Sequence, residues 1–418
     1  MQVRARRGGR ILLACLLVAV LGCYLAFLGP LSPKHGFFDL TIYRGAARWW
    51  LAHRHLYSFI REGTSKGFTY PPFGLLAVLP TALVSVSADV VVLTTMSAVL
   101  VLVTTWWLVV PVADRHGWPR WFAVAVAVPL VFAMEPVRET LGWGQINVFL
   151  VALVLADVGA LERGSRWAGV GIGLATAIKL TPGLFVVYLA LSGRVRAAVV
   201  AVGTFLGATF LAAALDPPSS LRYWTGVLFQ AGRVGRVTRT ANQSLLGGLA
   251  RLAAPARPDP RVWIALCAAL LVLGLTRAVG AGRRGDELTG LTLTGLLSGL
   301  VSPISWTHHL YWVIPAVLVL VDVAAGTPLD RRSPAFLRDR PDAVRAGAAV
   351  AAMVVGTAFL GSLVWFFDVA HHTGAFGMLG QNAYLLIMMA LLVLLPVRDV
   401  RAAARTTAPP RPAGSSPR

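Results

Sequence analysis

Charge is what this sequence has least of. Asp, Glu, Lys and Arg together make up 13% of its 418 residues, against roughly 25% in a soluble domain. A secreted or cytosolic enzyme is excluded on that ground. Lysine is nearly missing, with Lys34, Lys66 and Lys179 set against 35 Arg. Acids number 18 and no Asp-x-Asp pair occurs, so a nucleotide-sugar site clamping Mg²⁺ between paired aspartates has no support. Cysteine is as scarce. Cys15, Cys23 and Cys267 all lie in apolar runs, which argues against a disulfide framework and against a thiolate metal site.

What is present is apolar: 56% hydrophobic residues and a mean hydropathy of +0.70. The apolar runs are long and the charges sit in short islands between them, the pattern of a chain dissolved in lipid. The expected fold class is an all-α polytopic integral membrane protein with about 10–13 membrane helices, at roughly 20 residues per span, and outward-facing loop helices. The net charge of +20 then reads as topology rather than nucleic-acid binding, because excess cations beside spans mark cytoplasmic loops. Arg4 to Arg10 place the N-terminus inside. The islands at Arg163 and Arg166, Arg194 and Arg196, Arg283 and Arg284, Arg331 to Arg345, and Arg398 to Arg405 mark further inside segments.

Threading helices between these points gives spans near 11–29, 88–112, 120–135, 147–161, 197–215, 261–281, 288–306, 309–324, 346–367 and 380–396. The first resembles a signal peptide, but its apolar run continues past Cys23, and it reads as an anchoring helix. Residues 167–193 fit a re-entrant or short helix pair turning at Lys179-Leu180-Thr181-Pro182. Residues 72–84 fit a helix lying against the outer face. One membrane domain covers 1–397, and 398–418 is expected to be a disordered cytoplasmic tail. The first outer loop, 30–87, the turn 136–146, the long loop 216–260 and the turn near 302–309 then face outward together. The protein is expected in the cell membrane, among membrane lipids, with its site on the extracytoplasmic face.

Those outward segments hold the polar residues that could do chemistry. Asp39, in Phe37-Phe38-Asp39-Leu40-Thr41-Ile42-Tyr43, is open to two readings. It could cap the helix starting near Thr41, or serve as a general base whose pKa is raised by desolvation among aromatic rings. Phe68-Thr69-Tyr70-Pro71-Pro72 is a rigid aromatic turn, an interfacial anchor or part of a site. Gln145 and Asn147 could bind sugar hydroxyls or satisfy helix ends, while Trp143 offers a stacking face. Lys179, an ammonium amid apolar residues, either snorkels or meets a lipid phosphate. Arg222, Arg233, Arg236, Arg239 and Arg251 break the positive-inside trend in the long loop, meeting either headgroups or a phosphate. Ser302-Pro303-Ile304-Ser305-Trp306-Thr307-His308-His309 is a dense polar string. Adjacent histidines diverge by about 100° on a helix, so a metal site there is not expected. His371-His372 reads as surface.

Taken together and in this order, these strings resemble one family, the GT-C polyprenyl-phosphate-mannose-dependent α-mannosyltransferases of actinobacteria (glycosyltransferase family 87), in particular its phosphatidylinositol mannoside branch. The matching strings are Phe-Asp-Leu-x-x-Tyr around Asp39, Phe68–Pro72, Glu135-Pro136-Val137-Arg138, Gly144–Asn147, Lys179–Pro182, Ala231–Gly235, Asn242-Gln243-Ser244 and Ser302–His309. They span residues from about 37 to 312.

The resemblance implies a GT-C fold and an inverting transfer of mannose from polyprenyl-phosphate mannose to a mannosylated lipid or lipoglycan, forming an α-(1→2) linkage. Asp39 is then the general base, and His308 or His309 carries the family's essential histidine. Lys179, Arg233 and Arg251 are the candidate phosphate-binding cations. Tyr43, Tyr70, Glu135, Arg138, Gln145, Asn147, Asn242, Gln243 and Trp306 are candidates for sugar or acceptor contacts. No metal or other cofactor is expected. The short outer loop between Tyr57 and Phe68 departs from the family pattern and bears on acceptor identity. A transporter or flippase is the competing class. It predicts paired broken helices in inverted repeats, and only one such hairpin, 167–193, is visible in the sequence.

Overall fold

The computed structural model describes residues 35–333, 335–368 and 374–400. The expected first span, Cys15 and Cys23, the arginines Arg4 to Arg10, His371-His372 and the tail beyond Val400 lie outside the described residues. Among those described, no strand forms, and the two isolated β-bridges join Asn242 to Trp306 and Leu329 to Arg398. The chain folds as an all-α, multi-pass membrane protein.

On the site side come α1 (Phe38–His53) and α2 (Pro72–Val78), followed by α3 (Val86–His116), α4 (Arg120–Ala133), α5 (Glu135–Trp143) and α6 (Asn147–Glu162). A short pair, α7 (Val170–Ile178) and α8 (Gly183–Leu191), precedes α9 (Val195–Leu215), α10 (Pro217–Thr225) and α11 (Leu245–Ala253). The chain closes with α12 (Pro260–Arg283), α13 (Glu287–Val301), α14 (Val313–Ala324), α15 (Pro341–Leu360), α16 (Gly374–Gln381) and α17 (Ala383–Leu394).

Among the described residues four helices, α3, α9, α12 and α15, are long and apolar enough to cross a bilayer, and six spans result if each bent pair, α4–α5 and α16–α17, counts once. The sequence expectation of about ten spans is corrected in length rather than in place. The segments expected at 288–306 and 309–324 are helical but run for 15 and 12 residues, and the one expected at 147–161 forms a helix of 16. At 1.5 Å per residue the longest covers roughly 24 Å, short of a hydrocarbon core about 30 Å thick. The last expected span is broken at Asn382, where its two halves diverge by 61°.

The reason is burial. Every residue of α13 from Thr289 to Leu297 is buried, as in a helix that is apolar all round and sits inside a bundle. By contrast α9 and α12 leave Val199, Phe210, Leu211, Val262, Ile264 and Val272 exposed, the apolar surface that lipid covers. The inner helices thus form the core, and the longer ones face the bilayer.

The two ends of the bundle differ in chemistry. At one end Arg398, 2% exposed, reaches Asp322 at 2.6 Å and Asp286 at 3.1 Å. Asp322 also accepts from Arg115 at 2.8 Å and meets His116 at 2.8 Å. The ends of α3, α14 and α17 and the start of α13 are tied together there. The packed body therefore includes Arg398, which the charge pattern assigned to the tail. At the opposite end α1, α2, α10 and the segment joining α1 to α2 build a second apolar cluster from Tyr43, Trp50, Tyr57, Phe68, Leu75 and Tyr223. It is anchored by the indole of Trp50 donating to Asp216 at 2.6 Å and by the buried Arg44–Asp89 pair.

Candidate active site

Asp39 occupies the first turn of α1, and the helix has no side-chain cap. The capping reading therefore gives way to a longer-range contact. The Asp39 carboxylate accepts from the Gln145 side-chain amide at 2.6 Å. Glycine makes the approach: Gly144 ends α5 with φ +68°, and a Cβ there would stand 2.7 Å from that of Leu40. The Phe37 N–H also donates to the Gly142 carbonyl at 3.1 Å. Together these dock the start of α1 on the turn between α5 and α6.

Gln145 is held from its other side. Its carbonyl oxygen accepts from the hydroxyls of Tyr43 at 2.8 Å and Tyr70 at 3.0 Å, and the two tyrosines stand 2.9 Å apart. Two hydroxyl donors on the oxygen fix which way the amide points, so its NH₂ must face Asp39. Burial raises the Asp39 pKa to about 6, while the Gln145 bond and the charges of Lys179, His35 and Arg61 act to lower it. A carboxylate poised there is basic enough to take a proton and is ionised at neutral pH.

Lys179 arrives from below. It lies in extended conformation between α7 and α8, so the hairpin lifts it toward the same end of the bundle. Gly74 on α2 makes room, since a Cβ there would meet the Ile178 carbonyl oxygen at 2.8 Å. The Lys179 ammonium group lies 3.0 Å from the Asn147 side-chain oxygen, 3.0 Å from His309 Nε2 and 3.5 Å from the Tyr70 hydroxyl. Asp39, Gln145, Tyr43, Tyr70, Lys179, Asn147 and His309 are thus one connected cluster.

The two histidines divide within it. The Trp306 N–H donates to His309 Nδ1 at 3.1 Å, so in a neutral ring the proton sits on Nε2 and points at Lys179. Burial brings the Lys179 pKa down to about 7, with the charge of Asp39 acting to raise it, so the free amine accepts from this N–H and the ammonium form turns the pair into two donors. An anion placed between them would accept from both. His308 turns the other way, with its ring 6.3 Å from Trp143 and its Nε2 buried without a hydrogen-bond partner. Burial, then the charge of Lys179, holds both imidazoles well below the usual histidine range, so both are neutral.

Around Asp39 lies a rim that the sequence only partly announced. Trp143 stacks on His35 at 4.0 Å and meets the Phe38 edge at 5.8 Å. Glu139 accepts from the Trp143 indole at 2.7 Å and meets His35 at 3.0 Å. The Arg61 guanidinium covers the Phe38 ring at 4.2 Å. His35, Arg61 and Glu139 carry no local motif. The one available signal was Glu139 four residues before Trp143 on a helix.

The remaining candidates lie outside the cluster. Glu135 is buried and accepts from the Trp365 indole at 2.6 Å and from Tyr384, and Arg138 donates to Ser362 at 2.6 Å. Arg251 spends its guanidinium on the Arg239 and Asn242 carbonyls and on Asn382, at 2.7–2.8 Å. Arg233 donates to the Tyr57 carbonyl at 2.9 Å. Asn242 and Gln243 are fully buried and bond to backbone: the Asn242 side-chain oxygen accepts from the Ser305 N–H at 2.9 Å, and the Gln243 N–H donates to the Ser305 carbonyl at 2.7 Å.

Residues 68–303 match the family model described as glycosyltransferase family 87. Over 309 residues, 68% of this chain and 70% of the other, the protein is 33% identical to a polyprenol-phosphate-mannose-dependent alpha-(1-2)-phosphatidylinositol mannoside mannosyltransferase of Mycolicibacterium smegmatis. It is 33% identical to the protein of the same description from Mycobacterium tuberculosis over 344 residues, 76% of this chain and 78% of that one. A polyprenol-phosphate-mannose-dependent alpha-(1-2)-phosphatidylinositol pentamannoside mannosyltransferase of Mycobacterium tuberculosis is 32% identical over 73% of this chain and 71% of its own. No solved structure matches.

Proposed function

The chain belongs to glycosyltransferase family 87, and from that premise we propose that it transfers mannose from polyprenyl-phosphate mannose to a mannosylated lipid or lipoglycan, forming an α-(1→2) linkage on the extracytoplasmic face. One observation carries the reading: Asp39 and Lys179 stand at opposite ends of a single hydrogen-bonded cluster, linked through Gln145 and Tyr70. An inverting displacement needs its base and its leaving-group cation on opposite sides of the anomeric carbon.

In this mechanism Asp39 takes the proton of an acceptor mannose hydroxyl. The hydroxyl oxygen attacks the anomeric carbon of the β-linked donor as the bond from that carbon to the phosphate oxygen breaks. The bonding pair leaves with polyprenyl phosphate, and the new linkage is α. Lys179 and the Nε2–H of His309 meet the charge that grows on the leaving phosphate, the stabilisation that counts most in such a step. His308 and Trp143 face the acceptor side. With protein cations at the leaving group, the transfer is proposed to need no divalent metal. The outward placement is supported by the arginine islands, which gather toward the opposite end of the bundle.

The test is direct. Purified protein in lipid nanodiscs, given polyprenyl-phosphate mannose and a phosphatidylinositol mannoside, is expected to yield a product carrying one more mannose, removable by an α-(1→2)-specific mannosidase. No transfer to any mannosylated acceptor would sink the proposal. Activity lost on EDTA and restored by Mn²⁺ would overturn its metal-free part.

A further inference from the structure

Beside Lys179 a cavity of about 60 Å³ opens between α6, α8 and the turn after α13. One end is polar, with Asn147, Lys179, Ser305 and His309, and the walls running away from it are apolar, with Val154, Phe185 and Trp312. Such a pocket fits an amphiphile whose anionic head meets Lys179 and whose tail lies along the wall.

Ser305 lines it with a buried hydroxyl that is not engaged elsewhere. It is 1% exposed, and its hydroxyl has no hydrogen-bond partner. A buried hydroxyl left unpaired is uncommon and calls for a reason. Its placement is also over-determined. The Ser305 N–H and carbonyl are clamped by Asn242 at 2.9 Å and Gln243 at 2.7 Å. Facing it, Gly299 leaves room, since a Cβ there would stand 3.2 Å from the Ser305 Oγ. Asn242, through its side-chain oxygen, and Gln243, through its backbone N–H, thus act on the pocket through Ser305.

The geometry points to Ser305 as a ligand of the donor's phosphate. Its hydroxyl donates to a phosphate oxygen alongside Lys179 and His309 Nε2, while the first isoprene units lie against Val154, Phe185 and Trp312. This rests on the mannosyltransferase reading and adds to it a third phosphate contact and the path of the lipid.

The experiment compares wild type with Ser305→Ala, measuring KM for polyprenyl-phosphate mannose, KM for the acceptor, and inhibition by polyprenyl phosphate and by inorganic phosphate. Loss of one hydrogen bond to a charged group is expected to weaken the donor and polyprenyl phosphate about tenfold, leaving acceptor KM unchanged. Val154→Trp, which fills the apolar wall, is expected to weaken polyprenyl phosphate without changing inhibition by inorganic phosphate. Should Ser305→Ala lower the melting temperature, Gly299→Ala crowds the same hydroxyl and is expected to raise donor KM alone. A donor KM within twofold of wild type in both Ser305→Ala and Gly299→Ala would overturn the inference, as would a parallel rise in both KM values. Either result, with mannose transfer by the wild type intact, leaves the proposed function standing.

Discussion

The side chain of Gln145 holds Asp39 at 2.6 Å with its amide nitrogen, because two tyrosine hydroxyls occupy its oxygen. That bond favours the ionised carboxylate, against burial that disfavours it. With the Asp39 pKa near 6, kcat/KM is expected to fall about tenfold per pH unit on the acid side of that value. Gln145→Leu removes a bond that stabilises the charged form, so the acid limb moves to higher pH. A pH–rate profile of the two proteins decides it, and an unshifted limb in the variant would separate Gln145 from the base.

Asp39→Asn is expected to reduce turnover by about 10²–10⁴-fold, the usual worth of a general base, with donor binding largely kept. The same change bears on stability with a definite sign. Because the folded-state pKa is raised from 3.8 to about 6, the folded protein binds the proton more tightly, and stability falls as pH rises through that window. Above it Asp39→Asn should melt at an equal or higher temperature than wild type. Near-normal kcat in this variant would remove Asp39 from the chemistry.

Lys179→Met keeps much of the side-chain volume and deletes the charge. Charge-assisted hydrogen bonds are worth about 1.5–3 kcal/mol, so kcat/KM for the donor should drop roughly 10–100-fold. Steady-state kinetics with varied donor provide the measure. Unchanged constants would return Lys179 to a snorkelling role.

Trp143→Ala removes the ring that stacks on His35 and lies beside His308. Acceptor KM is expected to rise severalfold while donor KM holds, because the rim lies on the Asp39 side of the cluster. A rise in donor KM of the same size would place the rim elsewhere.

Asp286→Ala strips one of two carboxylates from the buried Arg398. Breaking a buried pair by removing one partner costs about 3–5 kcal/mol, so the variant should show a large drop in melting temperature. At this distance from Asp39 and Lys179, the protein that does fold should keep its KM values. A thermal midpoint like that of wild type would remove the cluster from the stability of the bundle.

Composition and charge pattern were enough to determine that this chain is a multi-pass membrane protein and where most of its described helices begin. They determined as well that Asp39 and Lys179 are unusual, because a charge set among apolar residues must be explained by a partner. Helix length was less legible: periodicity does not tell a lipid-facing span from α13, which is buried on every side and therefore stops short. Partnership was not legible at all. Gln145 and Asn147 look alike in sequence, yet one orients Asp39 and the other holds Lys179. Asn242, Gln243 and Arg251 look like ligands for a sugar or phosphate, yet their hydrogen bonds are spent on the protein. Ser305, unmarked among its neighbours, is left with an unpaired hydroxyl. Those distinctions depend on which atoms meet across stretches of chain, with Asn147 and Lys179 32 residues apart and Asp39 and Gln145 106 apart, and only the packed bundle decides that.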